Sequence, residues 1–138
     1  MQEELFMAFD FGLARTGVAI GSSLIGEATP VGIIDTRSND ERWAVIESLV
    51  DEWQPTAFVV GVPRHGDGST TALTPRCERF ARQLGGRFHR KVHCVDERFS
   101  SVVVENGQER IDDMAAVVIL QQFFDEQYAA LNAQQQRQ

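Results

Sequence analysis

The sequence is poor in cysteine and has no long apolar runs. Its two cysteines, Cys77 and Cys94, stand alone, with no CxxC or histidine partner at metal-ligand spacing. This excludes a disulfide framework and a zinc site and predicts buried, reduced thiols. No apolar run approaches the roughly 18 to 20 residues that span a bilayer, and the start MQEEL lacks the basic segment of a signal peptide. We therefore expect a cytoplasmic protein with no membrane partner.

What the chain does contain is the composition of one globular domain. Its 138 residues are 43% apolar and 24% charged, which is typical of a folded protein near the commonest domain size. We expect one domain over residues 1–138, built on one core. The polar segment 132–138, NAQQQRQ, is expected to be a frayed tail.

The charge of the chain is unevenly distributed. Thirteen basic and 20 acidic residues give a net charge of -7, which at first counts against a polyanionic partner. Residues 64–98, however, carry seven arginines and one lysine against four acids. Arg76, Arg79 and Arg82, spaced by three, form either a phosphate-binding track along one helix face or a solvated stripe.

Hydrophobic periodicity predicts the element order βββαβαβα. Three strands that meander antiparallel, followed by strand-helix alternation, predict an α/β protein with a mixed five-stranded sheet and helices on both faces. This is the order of the ribonuclease H-like fold. The strands are predicted at 5–11, from 17, from 30, at 57–62 and at 92–95, and the helices at 38–53, at 74–86 and from about 112.

The helices carry recognisable end signals. One of residues 38–40 is available to cap the first helix, and Thr74 is expected to cap the second, which should end at the glycines 85–86. Trp43 and Trp53 recur at helical spacing with aliphatic residues. Both tryptophans are therefore predicted to pack in the core rather than to stack on bases.

Three acidic residues fall where a catalytic centre can assemble. Asp10 lies at the C-terminal end of the first predicted strand, Glu97 closely follows the fifth, and Asp112 starts the last helix, with Asp113 as the alternative if that helix begins one residue later. Ligands bind open α/β sheets at the ends of buried strands, and converging carboxylates need a compensating cation. One or two Mg²⁺ or Mn²⁺ ions would supply that charge and could promote phosphodiester cleavage.

Each carboxylate also has an ordinary structural interpretation. Asp10 could bond the backbone amides of its own turn, and Glu97 could pair with Arg15 or Arg98. The aspartates at the helix start could be simple caps. For each residue taken alone, the structural and the catalytic interpretation have about equal weight, but the three positions together favour a metal site.

Four ordered motifs resemble the YqgF family, the Holliday-junction-resolvase-like proteins also described as pre-16S ribosomal RNA nucleases. They are FDFGLARTGVAIG, the segment 61–74 with GVP, DG and LT, the tripeptide DER at 96–98, and IDDMAAVVIL at 111–120. The resemblance runs from about residue 6 to 124. It implies a cytoplasmic, divalent-metal nuclease of ribonuclease H-like fold that matures the 5′ end of 16S ribosomal RNA. The three acidic positions of the family fall on Asp10, Glu97 and Asp112.

The sequence is consistent with more than one substrate and more than one partner. Precursor 16S RNA is the first choice, a Holliday junction cut by a homodimer is the second, and an RNA-binding ribosome-assembly factor that does not cut is the third. The protein is expected as a monomer or homodimer, with the ribosomal particle as a further partner. His65 is either a proton shuttle or an inert loop residue. The residues predicted to bind nucleic acid are Arg15, Arg64, Arg76, Arg79, Arg82 and Arg98.

A second resemblance and one departure also bear on function. The turn DFGLARTG resembles the phosphate-binding turn of actin-like ATPases, but those enzymes close two domains over ATP, whereas this chain supplies only one. The segment 102–111, VVVENGQERI, is shorter and less basic than its counterpart in the YqgF family. A loop that grips branched DNA is therefore expected to be reduced.

Overall fold

The computed structural model describes residues 3–97 and 113–136. In that part of the chain it contains five strands and three helices in the predicted order. The strands are β1 (Leu5–Asp10), β2 (Arg15–Ser22), β3 (Ala28–Asp35), β4 (Ala57–Pro63) and β5 (Lys91–Glu97). The helices are α1 (Asn39–Trp53), α2 (Thr74–Phe88) and α3 (Asp113–Gln136).

The strands form one mixed sheet in the order β3-β2-β1-β4-β5. The first three strands meander antiparallel, and β4 and β5 then pair parallel to β1. This confirms the predicted α/β fold class. The strands differ from the prediction mainly at their starts, since β2 and β3 each begin two residues earlier than predicted. Arg15 and Thr29 are exposed and Thr16 is a buried polar residue, so apolar periodicity gives no signal for these starts.

Helices cover both faces of the sheet. Side chains of successive strand residues point to opposite faces, and each face has its own apolar core. The face under α1 and α2 buries Phe9, Val18, Phe58 and Val60 against residues such as Ile46, Phe80 and Leu84. The face under α3 buries Phe6, Ala8, Val59 and Val95 against Ile119, Leu120, Phe123 and Phe124.

Helix α1 is capped at one of the three predicted positions. The Ser38 hydroxyl accepts a hydrogen bond from the Glu41 amide at 3.3 Å, and the helix ends at Gln54 in the left-handed conformation. Trp43 packs in the core as predicted. The prediction for Trp53 is wrong, because its side chain is 36% exposed in the last turn of the helix.

Helix α2 starts and ends differently from the prediction. Thr74 lies inside the helix, and its hydroxyl accepts a hydrogen bond from the Thr71 amide at 2.8 Å and donates one to the carbonyl oxygen of Pro63. It therefore ties the helix start to strand β4 instead of capping the helix. The helix also continues past the glycines 85–86 and ends at His89, whose φ is 53°.

Helix α3 runs antiparallel to β1. Ile119 lies against Gly61 near the carboxyl end of β4, whereas the rings of Phe124 and Phe6, near the start of β1, are 5.9 Å apart. The helix therefore begins at the carboxyl edge of the parallel strands. It extends to Gln136, into the segment for which the sequence predicts a frayed tail. Within the described ranges, no helix is long and apolar enough to cross a bilayer.

The two thiols differ in exposure. Cys77 is fully buried on the apolar face of α2, as predicted, but Cys94 is exposed, so the prediction of two buried thiols is wrong for this residue. Cys94 follows His93 on strand β5, where alternation turns it away from the α3 core.

Candidate active site

The parallel strands β1 and β5 both end in an acidic residue at the same edge of the sheet. Strand β1 ends at Asp10, and strand β5 ends at Glu97, which pairs with the last residue of β4. Phe9 pairs with Val60, which places Asp10 next to Gly61 in the sheet. Because β4 lies between β1 and β5, the two acidic residues flank one strand, and the strands that carry them are about 10 Å apart.

Both acidic residues belong to the face that α3 covers. Ala8, Val59 and Val95 are buried in the core under α3. Side chains alternate along a strand, so residues two positions apart lie on the same face. Asp10 is two positions after Ala8 in β1, and Glu97 is two positions after Val95 in β5. The structure thus brings two of the three predicted catalytic residues to one edge and one face of the sheet.

Gly61 makes room for the Glu97 carboxyl group. A Cβ atom at this position would lie 3.0 Å from Oε2 of Glu97 and 2.5 Å from Cδ1 of Ile119. The carboxyl group therefore lies over β4, on the side that leads towards Asp10, and the backbone of β4 forms its floor. From the sequence, Gly61 was recognised only as the first residue of the motif GVP, with no role assigned to it. Its position at the end of an apolar strand was the available signal.

The environment of Glu97 disfavours its negative charge. Burial raises the pKa of this carboxyl group from its ordinary 4.5 to about 7, because an ionised carboxylate loses hydration in a partly enclosed site. No ion pair to Glu97 is formed by the described residues, and Arg15, one of its two predicted partners, pairs with Asp35 instead at 3.8 Å. Arg98, the other, lies outside the described residues. A cation at this edge would restore the ionised form.

The third predicted carboxylate falls at the start of α3. Asp112 lies outside the described residues, and the helix is described from Asp113 onwards. Because α3 begins at the carboxyl edge, its start lies at the same end of the sheet as Asp10 and Glu97. Over residues 3–97 and 113–136, no group of three or more His, Cys, Asp or Glu side chains converges on one point.

The predicted nucleic-acid-binding arginines occupy different environments. Arg64 is enclosed between two acids, 3.5 Å from Glu78 and 3.9 Å from Asp96, and is only 26% exposed. Arg15 and Arg76 line one pocket at the carboxyl edge. Arg79 and Arg82 are exposed on α2 outside that pocket, and Arg98 lies outside the described residues.

The loop after β4 is held by its own backbone bonds. The amide of His65 donates to the carbonyl oxygen of Ser69 at 2.9 Å, and both the amide and the hydroxyl of Ser69 donate to the Asp67 carboxylate. The His65 side chain is exposed on this loop. Its role as a proton shuttle stays a prediction.

Arg42 is a structural residue of the site that the sequence analysis missed. Its side chain is 2% exposed and lies over the ring of Phe11 at 5.1 Å. One guanidinium nitrogen donates to the carbonyl oxygens of Leu13 at 2.7 Å and Thr36 at 3.0 Å, and the other donates to Asn39 at 2.6 Å. Arg42 therefore fixes the turn that follows Asp10. Its position four residues before Ile46 and eight before Val50, on the buried face of the helix, was the signal.

Replacing Arg42 with methionine should lower the free energy of unfolding by about 2 to 4 kcal/mol, because three hydrogen bonds from a charged donor are lost and two backbone carbonyl oxygens lose their partner. Urea denaturation measures the change. Arg37→Met, at an exposed position five residues earlier, is the matched control and should stay within about 0.5 kcal/mol of the wild type. Equal stability of the two variants would show that the Arg42 hydrogen bonds contribute nothing to the fold.

The fold is an α/β fold of the ribonuclease H-like class, similar to that of RuvC. The solved structure of Thermus thermophilus RuvC in complex with a Holliday junction superimposes with a TM-score of 0.58 at 12% identity, over 91% of this chain and 96% of that one. A second structure of the same protein gives a TM-score of 0.56. At this identity the likeness concerns the fold, and it confirms the predicted ribonuclease H-like architecture.

Sequence comparison then identifies the family. Residues 4–126 match the model of the RuvX family, described as a Holliday junction resolvase, and the chain belongs to this family. A relative from Methylobacillus flagellatus named "Putative pre-16S rRNA nuclease" is 45% identical over 86% of this chain and 89% of its own length. One of the same name from Paraburkholderia xenovorans is 42% identical over 90% of each chain. The predicted family resemblance and nuclease class are confirmed.

Proposed function

We propose that the protein is a divalent-metal-dependent endonuclease that cleaves precursor 16S ribosomal RNA at its 5′ end. The observation that carries the proposal is the Glu97 carboxyl group, which lies over Gly61 on the face and edge of the sheet where Asp10 ends β1. A buried carboxyl group next to a second acidic residue is costly unless a cation joins them. The names of the family's curated relatives support the substrate.

The side chains at this edge fit a hard divalent cation. Asp10 and Glu97 offer carboxylate oxygens, the ligands that Mg²⁺ and Mn²⁺ prefer, and either Asp112 or Asp113 would supply a third. Such an ion would lower the pKa of water and neutralise charge on the phosphodiester. Gly61 keeps the space over β4 open. Arg42 holds the turn that follows Asp10 and so limits the movement of that residue.

Cleavage of a precursor 16S RNA fragment tests the proposal. The wild type should cut the RNA with Mg²⁺ and not in EDTA, and Asp10→Asn and Glu97→Gln should each lose at least about 100-fold in rate, because a ligand of the ion is lost. Asp96→Asn is the matched control, since this neighbouring acid belongs to the opposite face of β5, where it pairs with Arg64. Full activity of both site variants, or activity in EDTA, would refute the metal mechanism.

A Holliday junction is the second candidate substrate, favoured by the description of the family model. A resolvase must cut two strands symmetrically, which calls for a homodimer. The same assay on a four-way DNA junction, combined with sedimentation analysis of the protein, separates the two substrates. Binding of both nucleic acids without cleavage of either would instead indicate an assembly factor.

A further inference from the structure

A pocket of about 670 Å³ opens at the carboxyl edge of the sheet. Three arginines from three separate segments line it: Arg15 at the start of β2, Arg37 between β3 and α1, and Arg76 in the first turn of α2. Apolar side chains, including Leu13 and Leu73, complete the lining. Because Leu73 packs on the core under α1 and α2, the pocket lies on the face opposite to the acidic residues.

Hydrogen bonds fix the walls of the pocket. The buried Arg42 guanidinium group donates to the carbonyl oxygens of both Leu13 and Thr36. The Thr36 amide donates to the carbonyl oxygen of Ala14 at 3.0 Å. These bonds hold the segments that carry Arg15 and Arg37 at a set separation. The third wall is fixed by the Thr74 hydroxyl, which bonds the end of β4. The pocket is therefore preorganised, which lowers the entropic cost of binding.

The positive charge of the pocket is hardly neutralised within the protein. Arg15 reaches Asp35 only at 3.8 Å, and the two side chains are 59% and 71% exposed, so the pair is weak. In the part of the chain that the structure describes, no ion pair is formed by Arg37 or Arg76. Arg64, by contrast, sits between two acids. Three like charges that line one pocket favour an anionic ligand with several phosphate oxygens.

We propose that this pocket binds the sugar-phosphate backbone of the substrate strand, with phosphate oxygens on the three arginines and the nucleoside against Leu13 and Leu73. The choice of nucleic acid as the ligand rests on the proposed function. A strand held here crosses the carboxyl edge of the sheet to reach Asp10 and Glu97 on the other face. Arg37 thereby becomes a binding residue.

The test is the affinity of labelled single-stranded RNA, measured by fluorescence anisotropy in EDTA so that cleavage does not interfere. Arg37→Ala and Arg76→Ala should each weaken binding about tenfold and lower the slope of log affinity against log salt by about 0.7, the value for one phosphate contact on a single strand. Arg37→Lys keeps the charge without the planar fork and should bind with intermediate affinity. A DNA strand of the same sequence shows whether the pocket distinguishes RNA from DNA.

Lys91→Ala is the matched control, because this residue carries the same charge and is exposed at the start of β5, outside the pocket. It should change the affinity less than about twofold. If Arg37→Ala binds RNA as tightly as the wild type, or if Lys91→Ala loses as much affinity as the pocket variants, the pocket proposal is overturned even if the wild type cleaves RNA. In a second outcome, the wild type cuts no nucleic acid but the pocket variants lose RNA binding. This result would overturn the proposed function and leave the pocket assignment standing.

Discussion

Replacing Glu97 with glutamine should make the metal-free protein more stable at about pH 8, by on the order of 2 to 3 kcal/mol. Burial raises the pKa of the Glu97 carboxyl group to about 7, so at this pH the folded wild type holds an ionised carboxylate in a site that disfavours it. Glutamine has the same size and no charge, so the variant avoids that cost. Urea denaturation in EDTA measures the difference.

The pH dependence of this difference follows from the direction of the pKa shift. The carboxyl group titrates near 4.5 in the unfolded chain and near 7 in the folded protein, so the folded protein binds more protons between these values. Wild-type stability therefore falls as the pH rises through this window, and the loss is complete above the folded pKa. The variant has no such group. The two proteins should be equally stable near pH 4.5 and diverge steadily up to neutrality.

Divalent cations should stabilise the wild type but not Glu97→Gln. An ion at about 100 times its dissociation constant adds about 2.7 kcal/mol to the folded state, and Glu97→Gln removes a ligand of that ion. Thermal melting above neutral pH, with and without Mg²⁺, measures the effect. Asp96→Asn, one residue away on the opposite face of β5, should respond to Mg²⁺ like the wild type. If Mg²⁺ stabilises Glu97→Gln as much as the wild type, Glu97 does not hold the ion.

The fold could be predicted from the sequence because its signals are local. Each apolar run lies within one strand, such as the runs that end at Asp10 and Val62. The helical spacing of Trp43, Ile46 and Val50 lies within α1. Errors arose where tertiary contacts override a local signal. Thr74 has the residue type of a helix cap, but its hydroxyl bonds the end of β4, a contact that no local pattern reveals.

The candidate site was predictable only in its acidic residues. Asp10 and Glu97 end apolar strands, and parallel strands bring such ends to one edge. Arg42, Gly61 and Arg37 act through contacts with segments distant in the sequence, and one sequence cannot show which segments meet. In the arginine track along α2, Arg76 lines the pocket and the other two members do not, and the binding role of the track stays a prediction.

Replacing Gly61 with alanine should lower the free energy of unfolding by about 1 to 3 kcal/mol, as overpacking of a core does. The added Cβ atom would lie 2.5 Å from Cδ1 of Ile119 and 2.9 Å from its Cγ1, so α3 must move away from the sheet. Urea denaturation measures the loss. Gly86→Ala is the matched control, because a Cβ atom there meets nothing within 4 Å and alanine favours the helix.

A double variant separates packing from chemistry at this position. Ile119→Val removes Cδ1, the atom that clashes most with the new Cβ. The double variant Gly61→Ala with Ile119→Val should therefore regain most of the stability that Gly61→Ala loses. A double-mutant cycle measures this coupling. The Cβ atom would still lie 3.0 Å from Oε2 of Glu97. Cleavage of RNA should therefore remain reduced by about tenfold or more even in the restabilised protein, since a small displacement of a ligand has a large effect on rate. If the double variant recovers full activity together with stability, Gly61 is needed only for the packing of α3 on the sheet and not for the placement of the Glu97 carboxyl group.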